Sequence, residues 1–112
     1  MIIYLSGPMS GVENYRETFE AAARELTVAG HTVINPAELL QVAPEAAASR
    51  ASFLLIDLHL LASADCMITL PGWRLSRGCL AEHAFCCAVG IQVHEYALES
   101  LVPDACPIGG CR

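Results

Sequence analysis

Leu70-Pro-Gly-Trp-Arg-Leu-Ser-Arg-Gly-Cys-Leu-Ala-Glu82 is the stretch from which the fold can be read. An apolar run from Asp65, with Cys66-Met67-Ile68-Thr69-Leu70 at its heart, leads into it and reads as a buried strand. Pro71-Gly72 cannot continue a strand ladder. Ser76 and Gly78 suit the mouth of a helix, which runs from Gly78 to Val89 and stops at Gly90. A strand, a turn of small residues and a helix N-terminus form a natural place to hold an anion. Glu82, about one turn inside that helix, instead brings a carboxylate, and its presence needs a reason.

The rest of the chain repeats the strand–helix alternation. Ile2-Ile3-Tyr4-Leu5 reads as a short buried strand, and Ser6-Gly7-Pro8-Met9-Ser10-Gly11 as a loop whose glycines let backbone approach a ligand. Asn14 can cap a helix that carries Tyr15, Phe19, Ala22, Ala23 and Leu26 on one stripe and stops at Gly30. Thr32-Val33-Ile34 is a second strand, ended by Asn35-Pro36. Residues 37–49 are alanine-rich, and with Pro36 and Pro44 they read as irregular or briefly helical. Arg50 to Ser63 is helical by length. Ile91-Gln92-Val93-His94 is a last strand, Ala97 to Leu101 a turn of helix, and 102–112 a loose tail. Alternation of this kind implies parallel pairing with right-handed crossovers. The expected fold is a single α/β domain over residues 1–112, a doubly wound, flavodoxin-like sheet of four to five mostly parallel strands flanked by helices. Such sheets bind ligands at the carboxyl ends of their strands. There the loops Ser6–Gly11, Asn35-Pro36 and Pro71–Gly78 converge.

Composition narrows the ligand. Twelve acidic residues against six basic ones give a net charge of −6, which argues against a nucleic-acid polymer and leaves room for one nucleotide. The chain is 54% hydrophobic, with mean hydropathy +0.46, as expected for strands buried on both faces or for a surface covered by a second subunit. No apolar run reaches the length of a membrane span, and Met1 to Leu5 is too short for a signal peptide, so a cytoplasmic protein is expected. Cys66, Cys79, Cys86 and Cys87 lie in apolar segments and read as small buried hydrophobes. Cys106 and Cys111 flank Pro-Ile-Gly-Gly with no standard zinc spacing. His31, His59, His83 and His94 show no metal-ligand spacing either, and no metal or redox cofactor is expected.

Two carboxylates occupy apolar stripes. At 100° per residue Asp57 falls between Phe53 on one side and Leu54 and Leu61 on the other, while Ser52, His59 and Ser63 share the far side. A carboxylate so placed is paired, hydrogen-bonded or lining a cavity, and a structural cap or an ion pair with Arg50 or another base competes evenly with a functional role. Glu82 shares its stripe with Gly78, Phe85, Cys86 and Val89, whereas His83 and Cys87 point away. The helix dipole should keep Glu82 ionised, as a nucleophile needs, and an apolar setting beside another carboxylate should raise Asp57, as a general acid needs. Paired carboxylates with split pKa values suit glycosidic-bond cleavage. Tyr4 can orient Glu82 or simply fill the core. Ser6, Ser10 and Ser76, with loop amides, can hold a phosphate or merely form turns. Trp73 can stack a base or cover the core. Arg74 and Arg77 can meet a phosphate but are more ordinary as solvated side chains. Asp65 caps or starts its strand.

Tyr4-Leu-Ser-Gly-Pro-Met-Ser-Gly11, Asp57-Leu-His-Leu-Leu-Ala-Ser-Ala-Asp65, Leu70-Pro-Gly-Trp and Ser76-Arg-Gly-Cys-Leu-Ala-Glu82, in that order and spacing, resemble the nucleoside 2-deoxyribosyltransferase superfamily, in particular its short bacterial and phage members. The resemblance spans nearly the whole chain. It implies Glu82 as the nucleophile at C1′ of a (deoxy)nucleoside or its 5′-monophosphate, Asp57 as the acid assisting base departure, and Tyr4 as the partner orienting the glutamate. It implies Ser76 as a phosphate-binding serine, the loop after the first strand as the rest of that site, and a homo-oligomer whose sites borrow residues from a neighbour. Two departures bear on the reaction. Monophosphate N-glycosidases of the superfamily carry an arginine where this chain has Ser10, and the transferases use a C-terminal asparagine, whereas no asparagine follows Asn35 here. The second tilts the expectation toward a hydrolase over a transferase. A non-catalytic nucleotide-binding module is the reading from another class. A phage structural protein is a third, and it expects Trp73 and Ser76 to be disordered or packed in an interface.

Overall fold

The computed structural model describes residues 1–9, 11–38 and 50–96, with the side chain of Arg50 left aside. Expectations that fall on Ser10, on 39–49 and on 97–112, including the turn of helix after Ala97 and the loose tail, lie outside the described residues. Four parallel strands, β1 (Ile2–Ser6), β2 (Thr32–Ile34), β3 (Cys66–Thr69) and β4 (Gln92–Glu95), form one sheet in the order β2-β1-β3-β4. Among the described residues three α-helices connect them: α1 (Tyr15–Val28), α2 (Arg50–Leu61) and α3 (Arg77–Val89). This is the doubly wound α/β arrangement expected from the alternation. β1 and β3 lie at the centre and are buried on both faces, which is why they read as continuous apolar runs.

Side-chain alternation divides the core in two. Ile3 and Leu5 of β1 and Cys66 and Ile68 of β3 pack with Phe19, Ala22 and Leu26 of α1 on one face. Tyr4 and Met67 point the other way and pack with Leu61 of α2, Cys86 of α3 and Val93 of β4. Register places Ser6 beside Thr69 at the carboxyl end of the two central strands. Both are buried polar residues on the face that α2 and α3 cover.

Local signals explain the boundaries. Gly30 and Gly90 take positive φ and end α1 and the α3 helix as expected. Asn14 occupies the N-cap of α1, but its side chain makes no cap hydrogen bond. Its carbonyl accepts from the Thr18 amide and hydroxyl instead. Asp65 opens β3 by accepting the Ile2 amide on Oδ2 at 2.6 Å while its own amide donates to the Ile2 carbonyl. Cys66, Cys79 and Cys86 are buried free thiols. No helix among the described residues is long and apolar enough to cross a membrane.

Candidate functional site

The stretch after β3 makes two successive turns before α3 begins. Leu70-Pro71-Gly72-Trp73 closes through the Trp73 amide and the Leu70 carbonyl, with Gly72 at φ 85° and ψ 3°, the position of a type II turn that demands glycine. A single 3-10 turn over Trp73–Leu75 follows. Ser76 then caps α3, its Oγ accepting the Cys79 amide at 3.3 Å. Replacing Ser76 with alanine is expected to cost about 1 kcal/mol of stability through the lost cap, measurable by urea denaturation.

α3 aims Glu82 inward over the sheet. The carboxylate is 5% exposed, and hydroxyls of two β1 residues hold its two oxygens. Tyr4 donates to Oε2 at 2.5 Å, and Ser6 donates to Oε1 at 2.7 Å. These lengths suit hydroxyl donors to a charged acceptor. A period of two along β1 explains why the same strand supplies both. Burial pushes the Glu82 carboxyl above the usual carboxylate range, while the Tyr4 and Ser6 hydroxyls pull it back. The helix dipole fades beyond the first helical turn, and desolvation outweighs it here. Burial, and then the Glu82 charge, raise the Tyr4 hydroxyl strongly, so Tyr4 remains a donor.

A cleft of about 800 Å³ opens at the carboxyl edge of the sheet, and Glu82 and Asp57 both line it. Asp57 reaches it from α2 beside Phe53 and Leu54, on the half-buried side of that helix, while Ser52 and His59 face solvent. Burial first, and the Glu82 charge second, raise the Asp57 carboxyl to about 7. One cleft thus holds a carboxylate tethered by two hydroxyls and a carboxyl that keeps its proton to near neutrality. Among the described residues no cluster of His, Cys, Asp and Glu is placed to hold a metal ion.

Gly7, Pro8 and Met9 from the loop after β1, and Ser76 and Gly78 from the mouth of α3, also line the cleft. A Cβ on Gly7 would stand 3.0 Å from Leu70 Cβ and 3.1 Å from Phe19 Cζ, so the loop lies hard against the core. Gly7→Ala is accordingly expected to destabilise the fold by about 1–3 kcal/mol, read as a lowered denaturation midpoint. Three expected contacts lie elsewhere. Asn35 accepts the Ala37 amide on its Oδ1 at 3.0 Å in a local turn that ends β2. Trp73 is buried away from the cleft. It stacks on His83 at 5.1 Å and donates Nε1 to Glu95 at 3.0 Å, because the turn at Gly72 carries it toward β4. Ser6 is 1% exposed and touches Glu82 rather than the cleft. Cys79, which sequence reasoning treated only as a core residue, lines the cleft one helical turn before Glu82. Its spacing of three from Glu82 was the available signal.

No curated protein sequence matches the chain. Among solved structures, a 2-deoxyribosyltransferase from the psychrotolerant bacterium Bacillus psychrosaccharolyticus has a similar fold, with a TM-score of 0.64 at 24% identity over 85% of this chain and 71% of that one. The model of a family described as a domain of unknown function, DUF4406, matches residues 1–95, which carry the whole described sheet and both carboxylates. The chain therefore belongs to the DUF4406 family.

Proposed function

We propose that the cleft cleaves the N-glycosidic bond of a (deoxy)nucleoside or its 5′-monophosphate, with Glu82 as nucleophile and Asp57 as general acid. The observation that carries this reading is the pairing of two unlike carboxyl groups in one cleft, one buried and tethered by Tyr4 and Ser6, the other protonated to about pH 7. Glu82 attacks C1′ as the bond from C1′ to the base nitrogen breaks through an oxocarbenium-like transition state. Each Glu82 oxygen keeps a lone pair beyond the one that accepts a hydroxyl, so tethering does not block attack. Asp57 gives its proton to the departing base. The Asp57 carboxylate then takes a proton from water, whose oxygen attacks C1′ and releases Glu82. No metal or redox cofactor enters these steps. Gly7, Pro8, Met9 and Gly78 bring backbone close to the substrate, and the Ser76 hydroxyl at the α3 N-terminus suits a 5′-phosphate. Leu55, Ile56 and Leu80 are exposed on α2 and α3, and burial of this apolar surface favours a homo-oligomer.

A deoxyribosyltransferase is the second reading, favoured by the fold likeness to a 2-deoxyribosyltransferase. It differs only in the acceptor, a second base in place of water. Chromatography of nucleosides and 5′-monophosphates incubated with the protein, with and without an added base, separates the two. Free base without an acceptor marks a hydrolase, and base exchange that requires one marks a transferase. Tight binding by calorimetry with neither product would leave a nucleotide-binding module and overturn the catalytic reading.

A further inference from the structure

We infer that Ser6 is a positioning residue for the nucleophile rather than a substrate contact, its hydroxyl fixing Oε1 of Glu82. The inference rests on the assignment of Glu82 as nucleophile. A carboxylate held at one oxygen can still turn about its Cγ–Cδ bond. Tyr4 alone, on Oε2, would leave that freedom, and the Ser6 hydroxyl on Oε1 removes it. Both donors stand on one central strand that is hydrogen-bonded to a neighbour on each side, so their spacing is set by the sheet. Tyr4 lies two residues further from the cleft and bridges the distance with its ring, whereas Ser6, at the strand end, needs only its short arm. Ser6 is 1% exposed and absent from the cleft wall, so a substrate group has no path to its hydroxyl. Cys79, one helical turn before Glu82, lies near Ser6 and Ser76, and burial pushes its thiol up.

Ser6→Ala tests this, since it removes one oxygen and leaves the strand shape. With a turned-over nucleoside and its 5′-monophosphate, kcat should fall roughly 10- to 100-fold, as misplacement of a reacting group does, with KM within about twofold for both. The acidic limb of the kcat/KM profile should move to higher pH, because a carboxylate that loses a donor binds its proton more tightly. Carbon-13 NMR of the Glu82 carboxyl should show the same upward shift in its titration midpoint, and circular dichroism should show an unchanged fold. An unshifted Glu82 midpoint would overturn the inference, as would a KM that rises for the monophosphate alone with kcat intact. Should the wild-type protein release no base from any nucleoside or nucleotide, the glycosidase reading fails by itself. The NMR midpoint then decides whether Ser6 holds Glu82, a raised value upholding that hold and an unchanged one overturning it.

Discussion

Replacing Glu82 with glutamine is expected to abolish turnover and leave the protein folded, with kcat lower by roughly 10⁴-fold or more. The amide has the shape of the carboxylate but no charge to place on C1′, so the step that forms the glycosyl-enzyme is lost. KM should change little, because the rest of the cleft wall is untouched. The pH dependence of stability gives a second readout. Burial raises the Glu82 carboxyl above its unfolded value. The folded state therefore binds the proton more tightly than the unfolded chain does. The stability this group contributes is fully present below the ordinary carboxylate range and is lost as pH rises through the raised value. Glutamine carries no such proton. The variant's melting temperature should depend less steeply on pH, while its amide nitrogen, which cannot accept, forfeits one of the two hydroxyl hydrogen bonds. Base release at the wild-type rate by a folded Glu82→Gln protein would remove Glu82 from the reaction. A variant that fails to fold would instead mark the carboxylate as a structural group.

The strands and helices were legible because each carries a local signal. Thr32–Ile34 is observed as a strand over the residues expected, and α3 begins one residue early, at Arg77, because Ser76 rather than Arg77 is its cap. Parallel order followed from alternation, which leaves few topologies open. Asp57 and Glu82 stood out for the same physical reason, a charge on an apolar stripe, and the structure brings both to one cleft. What could not be read is what depends on the path of the chain between elements. Trp73 follows a turn whose direction is set by a positive φ at Gly72, so its side chain lies against His83 and Glu95 and not over the cleft, and the base-stacking role gives way to the core-covering one. Trp73 is buried in the chain's own fold, and Ser76 caps a helix. Ser6 carries no pattern in the sequence that separates a turn serine from a partner of Glu82. The two lie 76 positions apart and meet only through packing of α3 on the sheet.

Asp57→Asn is expected to lower kcat by roughly 10²- to 10⁴-fold, the range of a lost general acid, with the size of the loss set by the leaving group. Proton donation matters most for a base that departs poorly as an anion. Substrates whose base is already cationic, or whose leaving group is an acidic phenol, should keep most of their wild-type rate. That selectivity distinguishes a lost acid from a merely damaged cleft, which would slow all substrates alike. The pH profile adds a sharper test. In the wild type the acidic limb of kcat/KM should follow ionisation of Glu82, and the alkaline limb should fall near pH 7, where Asp57 gives up its proton. Asparagine should remove the alkaline limb and leave the acidic one at the same position, at a rate lowered throughout. The same shift acts on stability. Asp57 is raised from 3.8 to about 7 by burial and then by the Glu82 charge, so the folded state holds a proton that the unfolded chain has released across that interval. Stability from this group is present below pH 4 or so and is lost as pH climbs through about 7, and Asp57→Asn should flatten that part of the curve. A profile that keeps its alkaline limb in the variant, or an equal slowing of good and poor leaving groups, would assign the proton to another residue and leave Asp57 as a group that only shapes the wall.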